Sequence, residues 1–281
     1  MSQLEVSPAW ASTALSDLVC GPCREATVRA STKSAAYLSV PDGRATAVIA
    51  LLCKKAVRLP IGVVVDAAEL PAAGRVVVVG NGQIASGYDT WQIVRWWDPR
   101  PRLSRQGLLA HGPELADLLE SRPAWSFGLP LGEAMAVARG LAEGKAEPAL
   151  EVIGLGPGLT PAGDDVVSGA LAVLALTGRL EDDNRAMVES CASTRTTALS
   201  AALVRAASRG HVIPEAAGVL LALAAGAAPG RLGSAADQLL AIGATSGHDI
   251  CAGMAGALLA LGSEATAKAM GGLATIPRRP R

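Results

Sequence analysis

The chain has 281 residues, half of them hydrophobic but only 3% aromatic, with 31 glycines, so its core must be built from small aliphatic side chains. Its 25 basic and 25 acidic residues balance to zero, which excludes a nucleic-acid footprint or an acidic tail, and the apolar content excludes disorder. The mean hydropathy is +0.34, yet apolar runs such as 166–176 and 216–228 fall short of the roughly 20 residues that cross a bilayer, so no membrane partner is expected.

The first ten residues show no basic-then-apolar signal pattern, and five cysteines, an odd number, suit no disulfide framework. A cytoplasmic protein is the expectation. Up to about residue 110 the pattern is that of strands. Alternating stretches in 25–40 and continuous apolar runs at 45–52 and 57–65 are each bounded by Pro or Gly. The run 76–79 leads into Asn81-Gly82, a pair suited to a tight hairpin, and a further strand is predicted over 90–97. These add up to an antiparallel sheet or a small barrel. The prolines of 96–102, Trp-Trp-Asp-Pro-Arg-Pro-Arg, predict a break.

From Gly112 the apolar period becomes helical, with helices predicted over 113–121, 132–143, 165–176, 197–209, 214–224, 234–242 and 249–261. The expected class is therefore α+β: a strand-rich N-terminal domain over 1–110, an α-helical bundle domain over 111–275, and a frayed Pro/Arg-rich tail over 276–281.

Cys20-Gly21-Pro22-Cys23 spells a thioredoxin-type redox motif, but only 19 residues precede it and no βαβ unit surrounds it, so a turn with idle thiols is the better reading. Cys53, Cys191 and Cys251 have no partners at zinc-ligand spacing. His111 and His211 follow turn residues and read as solvated, whereas His248 neighbours Asp249. No nucleophile elbow or Ser-His-Asp order is present.

The richest segment runs from Gly154 to Asp165, Gly-Leu-Gly-Pro-Gly-Leu-Thr-Pro-Ala-Gly-Asp-Asp, straight into an apolar helix. It is no nucleotide fingerprint: the third glycine of the dinucleotide motif is missing, and Asp164-Asp165 stand where a P-loop needs Lys and Ser/Thr. Two carboxylates at a helix start can cap free N–H groups, or hold a hard cation such as Mg²⁺ beside Gly158, Thr160 and Gly163. A second segment, Gly243-Ala-Thr-Ser-Gly-His-Asp249 with Gly253, echoes the first: Gly163, Asp165 and Gly169 match Gly247, Asp249 and Gly253. Two such loop-to-helix junctions facing each other would form a polar cup lined by Thr160, Thr245, Ser246 and the three aspartates; two ordinary N-caps are the alternative. Between them, Arg195 can clamp a carboxylate or phosphate, Thr196 can cap the following helix, and Thr197 and Ser200 add hydroxyls.

In this order and spacing, the Gly154–Asp165 run, Thr196-Thr197 with Ser200, and Gly243–Asp249 with Gly253 resemble the AllH-type subunit of oxamate carbamoyltransferase and its relatives of undefined function. Trp97-Asp98-Pro99-Arg100 looks like the family's segment closing its first part, and the family's usual Ser is Ala162 here. The resemblance implies work with partner subunits on a small anionic substrate, converting oxalurate and phosphate into oxamate and carbamoyl phosphate in purine-nitrogen (allantoin) breakdown. It covers Thr160, Asp164, Asp165, Thr196, Ser200, Thr245, Ser246 and Asp249 as a site with no assigned chemical step. With the residue reading above, Asp164, Asp165 and Asp249 are the catalytic candidates, Gly158, Thr160, Gly163, Arg195, Thr196, Thr197, Ser200, Thr245, Ser246 and Gly247 the substrate-binding candidates, and Asp164 and Asp165 the candidate ligands of any Mg²⁺. Two alternatives stand beside it: a non-catalytic structural subunit of such a complex, and a stand-alone metal-dependent hydrolase.

Overall fold

The computed structural model describes residues 5–43, 45–87, 89–121 and 128–273. The tail expected over 276–281 lies outside them. Eight strands occupy the first part: β1 (Glu5–Ser12), β2 (Arg24–Ser31), β3 (Ala35–Asp42), β4 (Ala45–Cys53), β5 (Gly62–Val65), β6 (Val76–Gly80), β7 (Gln83–Ser86) and β8 (Asp89–Trp97). They close into a barrel in the order β1-β5-β4-β3-β2-β6-β7-β8. The expected barrel is present, but it is not purely antiparallel. β1 runs parallel to β8, where it slots in to complete the ring, and β4 runs parallel to β5.

Inward positions carry Val28, Leu38, Ile49, Leu51, Val63, Val79 and Ile84, alternating with outward residues as the pleat requires. Asn81 and Gly82 sit at φ 52° and 77° and join β6 to β7 in a two-residue hairpin whose Gly80–Gln83 register follows from that turn. β1 and β7 escaped the sequence pattern, the first interrupted by Pro8 and the second only four residues long.

After the short α1 (Ser16–Cys20), helices begin at α2 (Arg105–His111), followed by α3 (Pro113–Glu120), α4 (Leu131–Ala142), α5 (Glu147–Val152) and α6 (Ala162–Thr177). Then come α7 (Asp182–Arg195), α8 (Ala198–Ala207), α9 (Pro214–Ala224), α10 (Pro229–Leu240) and α11 (Ser246–Leu273). No up-and-down bundle forms. α6 and α11 make a central pair, with α2, α3, α4 and α8 packed around it. The reason is a matched pair of glycines. A Cβ on Gly169 would lie 2.1 Å from the Ile250 carbonyl oxygen and one on Gly253 2.0 Å from that of Val166, so the two backbones touch reciprocally where any side chain would part them. The internal repeat is thus a packing device.

α8 belongs to both cores: its Leu199 and Ala206 are buried with the barrel residues, while Val204 and Ala207 face the helices. The linker after β8 fastens the same seam. Asp98 accepts the Arg100 N–H at 2.9 Å, and the Arg100 side chain donates to the carbonyls of Arg209 at 2.5 Å and Ala175 at 3.3 Å. Among the described residues no helix is long and apolar enough to cross a membrane. Cys20 and Cys23 flank the turn between α1 and β2 as free thiols, and Cys23 Sγ accepts from Asn81 Nδ2 at 3.2 Å.

Candidate functional site

The two loop-to-helix junctions do meet. Thr160 Oγ1, at the end of the first loop, lies 3.2 Å from Ser246 Oγ at the start of α11. Asp164 and Asp165 lie in the first turn of α6 and Asp249 in that of α11, all buried, at 1%, 5% and 0% exposure.

The three carboxylates do different things. Asp164 does not cap its own helix, which starts without a side-chain cap. Its Oδ1 accepts the Gly154 N–H at 2.7 Å, and its Oδ2 accepts the hydroxyls of Ser200, at 2.6 Å, and Thr196. Three protein donors therefore fill it, tying the glycine loop to the start of α8. Asp249 is filled likewise: its Oδ1 accepts the N–H groups of Gly128 at 3.0 Å and Leu129 at 3.3 Å. Burial pushes its acid upward, and the Thr245 hydroxyl, those two N–H groups and His248 pull it back.

Asp165 is the exception. Its Oδ2 is buried with no hydrogen-bond partner. Burial pushes this acid up to about 8; the Ser246 and Thr160 hydroxyls beside it oppose the rise, and the charges of Asp249 and Asp164 add to it. At neutral pH it is mostly a protonated, uncharged acid. It faces a cavity of about 260 Å³ between barrel and helices, lined by Tyr37, Leu59 and Pro60 of the barrel side and by Thr160, Ser168, Leu203, Ala216, Ser246, Ile250 and Met254 among the helices.

Several expectations need correcting. Asp164 and Asp249 hold backbone and hydroxyls in place and have no open oxygen for a substrate, so of the three expected catalytic carboxylates only Asp165 faces open space. Asp164 has both carboxylate oxygens hydrogen-bonded, and no group of three or more His, Cys, Asp or Glu able to hold a metal occurs among the described residues. Arg195 donates to the Leu150 carbonyl at 2.6 Å, closing the end of α5. The cap of α8 is Thr197, which accepts the Ser200 N–H at 3.0 Å and donates to the Leu159 carbonyl at 2.6 Å; Thr196 serves Asp164 instead. Gly163 and Gly247 are packing glycines, where a Cβ would lie 1.9 Å from the carbonyl oxygens of Val152 and Leu239 respectively, and Gly158, at φ 96°, shapes the loop with nothing close by. Thr245 stands beside Asp249 and does not itself line the cavity. His211, expected in solvent, is half-buried at the cavity wall, and burial pulls its pKa down.

Gly128 and Leu129 escaped the sequence reading because a backbone N–H leaves no side-chain signature. The cavity walls from α8 and α9 escaped it too, since Leu203 and Ala216 read as ordinary core. No solved structure matches the chain. The family likeness expected from the motifs stands: residues 152–258, which hold Asp164, Asp165, Asp249 and both junction loops, match the family described as oxamate carbamoyltransferase subunit AllH.

Proposed function

We propose that this chain is a subunit of an oxamate carbamoyltransferase-like complex and that it holds the carbamoyl group of the substrate at the meeting of α6 and α11. The observation that carries the reading is Asp165: a buried acid with an unpartnered oxygen, facing a cavity, under a pair of hydroxyls that join the two loops. In the conversion of oxalurate, a phosphate oxygen attacks the carbamoyl carbon, the bond from that carbon to the inner nitrogen breaks, and the departing nitrogen takes up a proton to give oxamate and carbamoyl phosphate. Asp165, protonated at neutral pH, would deliver that proton and be reprotonated, through solvent, by the proton that the attacking hydrogen phosphate gives up. Among the described residues no Lys or Arg lines the cavity, so the charges of phosphate and oxalurate fall to partner subunits to neutralise.

The test is the complex isolated through a tag on this chain from the cells that make it, assayed for phosphate-dependent conversion of oxalurate. Asp165→Asn is expected to lower the rate by about a hundredfold or more, the scale of lost general-acid catalysis. Undiminished turnover would instead support a structural subunit, a reading favoured by the way Asp164 and Asp249 are consumed in internal hydrogen bonds. Mg²⁺ has no assigned step, since only one of its two expected carboxylates keeps an open oxygen.

A further inference from the structure

The two repeats are built alike but finished differently. Pro130 precedes α4 and Pro214 opens α9, at the same offset that relates Asp165 to Asp249 and Gly169 to Gly253. The residues just before the proline of the first repeat, Gly128 and Leu129, give both their N–H groups to Asp249 of the second. In the reciprocal place the backbone is Val212 and Ile213 of the second repeat and the carboxylate is Asp165 of the first. There Val212 donates its N–H to the Pro99 carbonyl at 3.0 Å, in the linker leaving the barrel. Asp165 Oδ2 is left without a partner, and Val212, Ile213 and Asp165 all line the cavity instead of closing on one another.

We infer that this cavity binds a small molecule with a planar head bearing two parallel N–H donors, a urea or a guanidine, on a short apolar body. With Asp165 ionised on binding, the head takes the place that the Gly128 and Leu129 N–H pair holds against Asp249, and so satisfies the buried Asp165 oxygen that has no partner. The body lies among Leu203, Ala216, Ile250 and Met254 of the helices and Leu59 on the barrel side. A volume of about 260 Å³ is close to the lower edge of small-molecule pockets and suits a body of roughly four to six carbons. An anionic body is disfavoured, because among the described residues no Lys or Arg lines the cavity to pair with it. Oxalurate carries the right head on such a body. The inference shares Asp165 with the reading above but does not rest on it.

Titration calorimetry on the full chain tests it with n-butylurea, n-butylguanidinium, n-butylamine and oxalurate. The first two are expected to bind saturably, at least tenfold tighter than the other two, and their relative affinity tells a neutral head from a cationic one. Asp165→Asn should weaken both by tenfold or more while the protein melts no lower than wild type. Ala216→Leu, which fills the cavity from α9, should abolish both. Failure of both ligands to saturate by about 10 mM, well above the dissociation constant of a matched ligand of this size, would overturn the inference. So would indifference to Asp165→Asn, or n-butylamine or oxalurate binding as tightly. Asp165-dependent carbamoyl transfer without binding of either probe would sink this inference and leave the subunit reading standing; probe binding without Asp165-dependent transfer would do the reverse.

Discussion

Thr160 and Ser246 are 86 positions apart in the chain, and their hydroxyl oxygens lie 3.2 Å from each other. That contact joins the glycine loop before α6 to the start of α11 beside Asp165, whose buried Oδ2 has no partner. Thr160→Val and Ser246→Ala should each cost about 1 kcal/mol, the usual worth of a partly buried hydroxyl bond. The double variant should cost less than the sum of the two by roughly 0.5 kcal/mol or more, because each single change already breaks the shared bond. Urea unfolding of the four proteins measures this; strict additivity would mean that the hydroxyls are neighbours without being partners.

Asp164 and Asp165 are adjacent in sequence, yet their replacements should act oppositely. Asp164→Ala strips a buried acceptor from the Gly154 N–H and the Thr196 and Ser200 hydroxyls, so a loss of roughly 3–5 kcal/mol is expected. Asp165→Asn removes a group whose charge the site disfavours and whose Oδ2 bonds to nothing, so stability should hold or rise. Denaturant midpoints of the two variants decide, and equal losses would contradict the division of labour.

The pH dependence of stability follows from the same residue. The folded state keeps Asp165 protonated up to about 8, whereas the unfolded chain releases that proton near the ordinary value of 3.8. Between those values the native state binds the extra proton, so raising the pH across this window destabilises the fold, and the effect levels off above about pH 8. Burial raises Asp249 as well and adds in the same direction. Thermal melts from pH 5 to 9 should show Tm falling across this window in wild type and falling less in Asp165→Asn. A variant with the wild-type slope would place the titration elsewhere.

How much of this was legible in the sequence depends on where each signal resides. The Asn81-Gly82 hairpin, the change of period near Gly112 and the echo of Gly163-Asp165-Gly169 in Gly247-Asp249-Gly253 are local patterns, and local patterns survive folding. The parallel closure of β1 on β8 depends on two segments some 80 positions apart finding each other, which no window of sequence records. α7 escaped because few of its residues are buried, only Asn184, Val188 and Ala192, so it carries no apolar stripe. The roles of Asp164 and Asp165 were inseparable by pattern: which of two neighbours is saturated depends on donors as distant as Ser200 and Gly154.

The crossing of α6 and α11 offers the last prediction, since Asp165 and Ser246 keep their distance only if the two helices do. A methyl at Gly169 or Gly253 would fall 2.1 or 2.0 Å from a carbonyl oxygen of the other helix, far inside van der Waals contact, and backbone on both sides cannot swing away as a side chain would. Gly169→Ala and Gly253→Ala should therefore each cost about 2–3 kcal/mol or more, despite the better helix propensity of alanine. Gly158→Ala is the control: it meets nothing within 4 Å, and only its φ of 96° opposes the change, at about 1 kcal/mol. If separation of the helices is the cause, the two crossing variants should also weaken n-butylurea binding, because the Thr160–Ser246 pair and Asp165 move apart with them. Gly158→Ala should leave that affinity within about twofold of wild type. Unfolding midpoints and calorimetry on the three variants would show it, and a crossing variant as stable as wild type would mean that the contact is looser than these distances state.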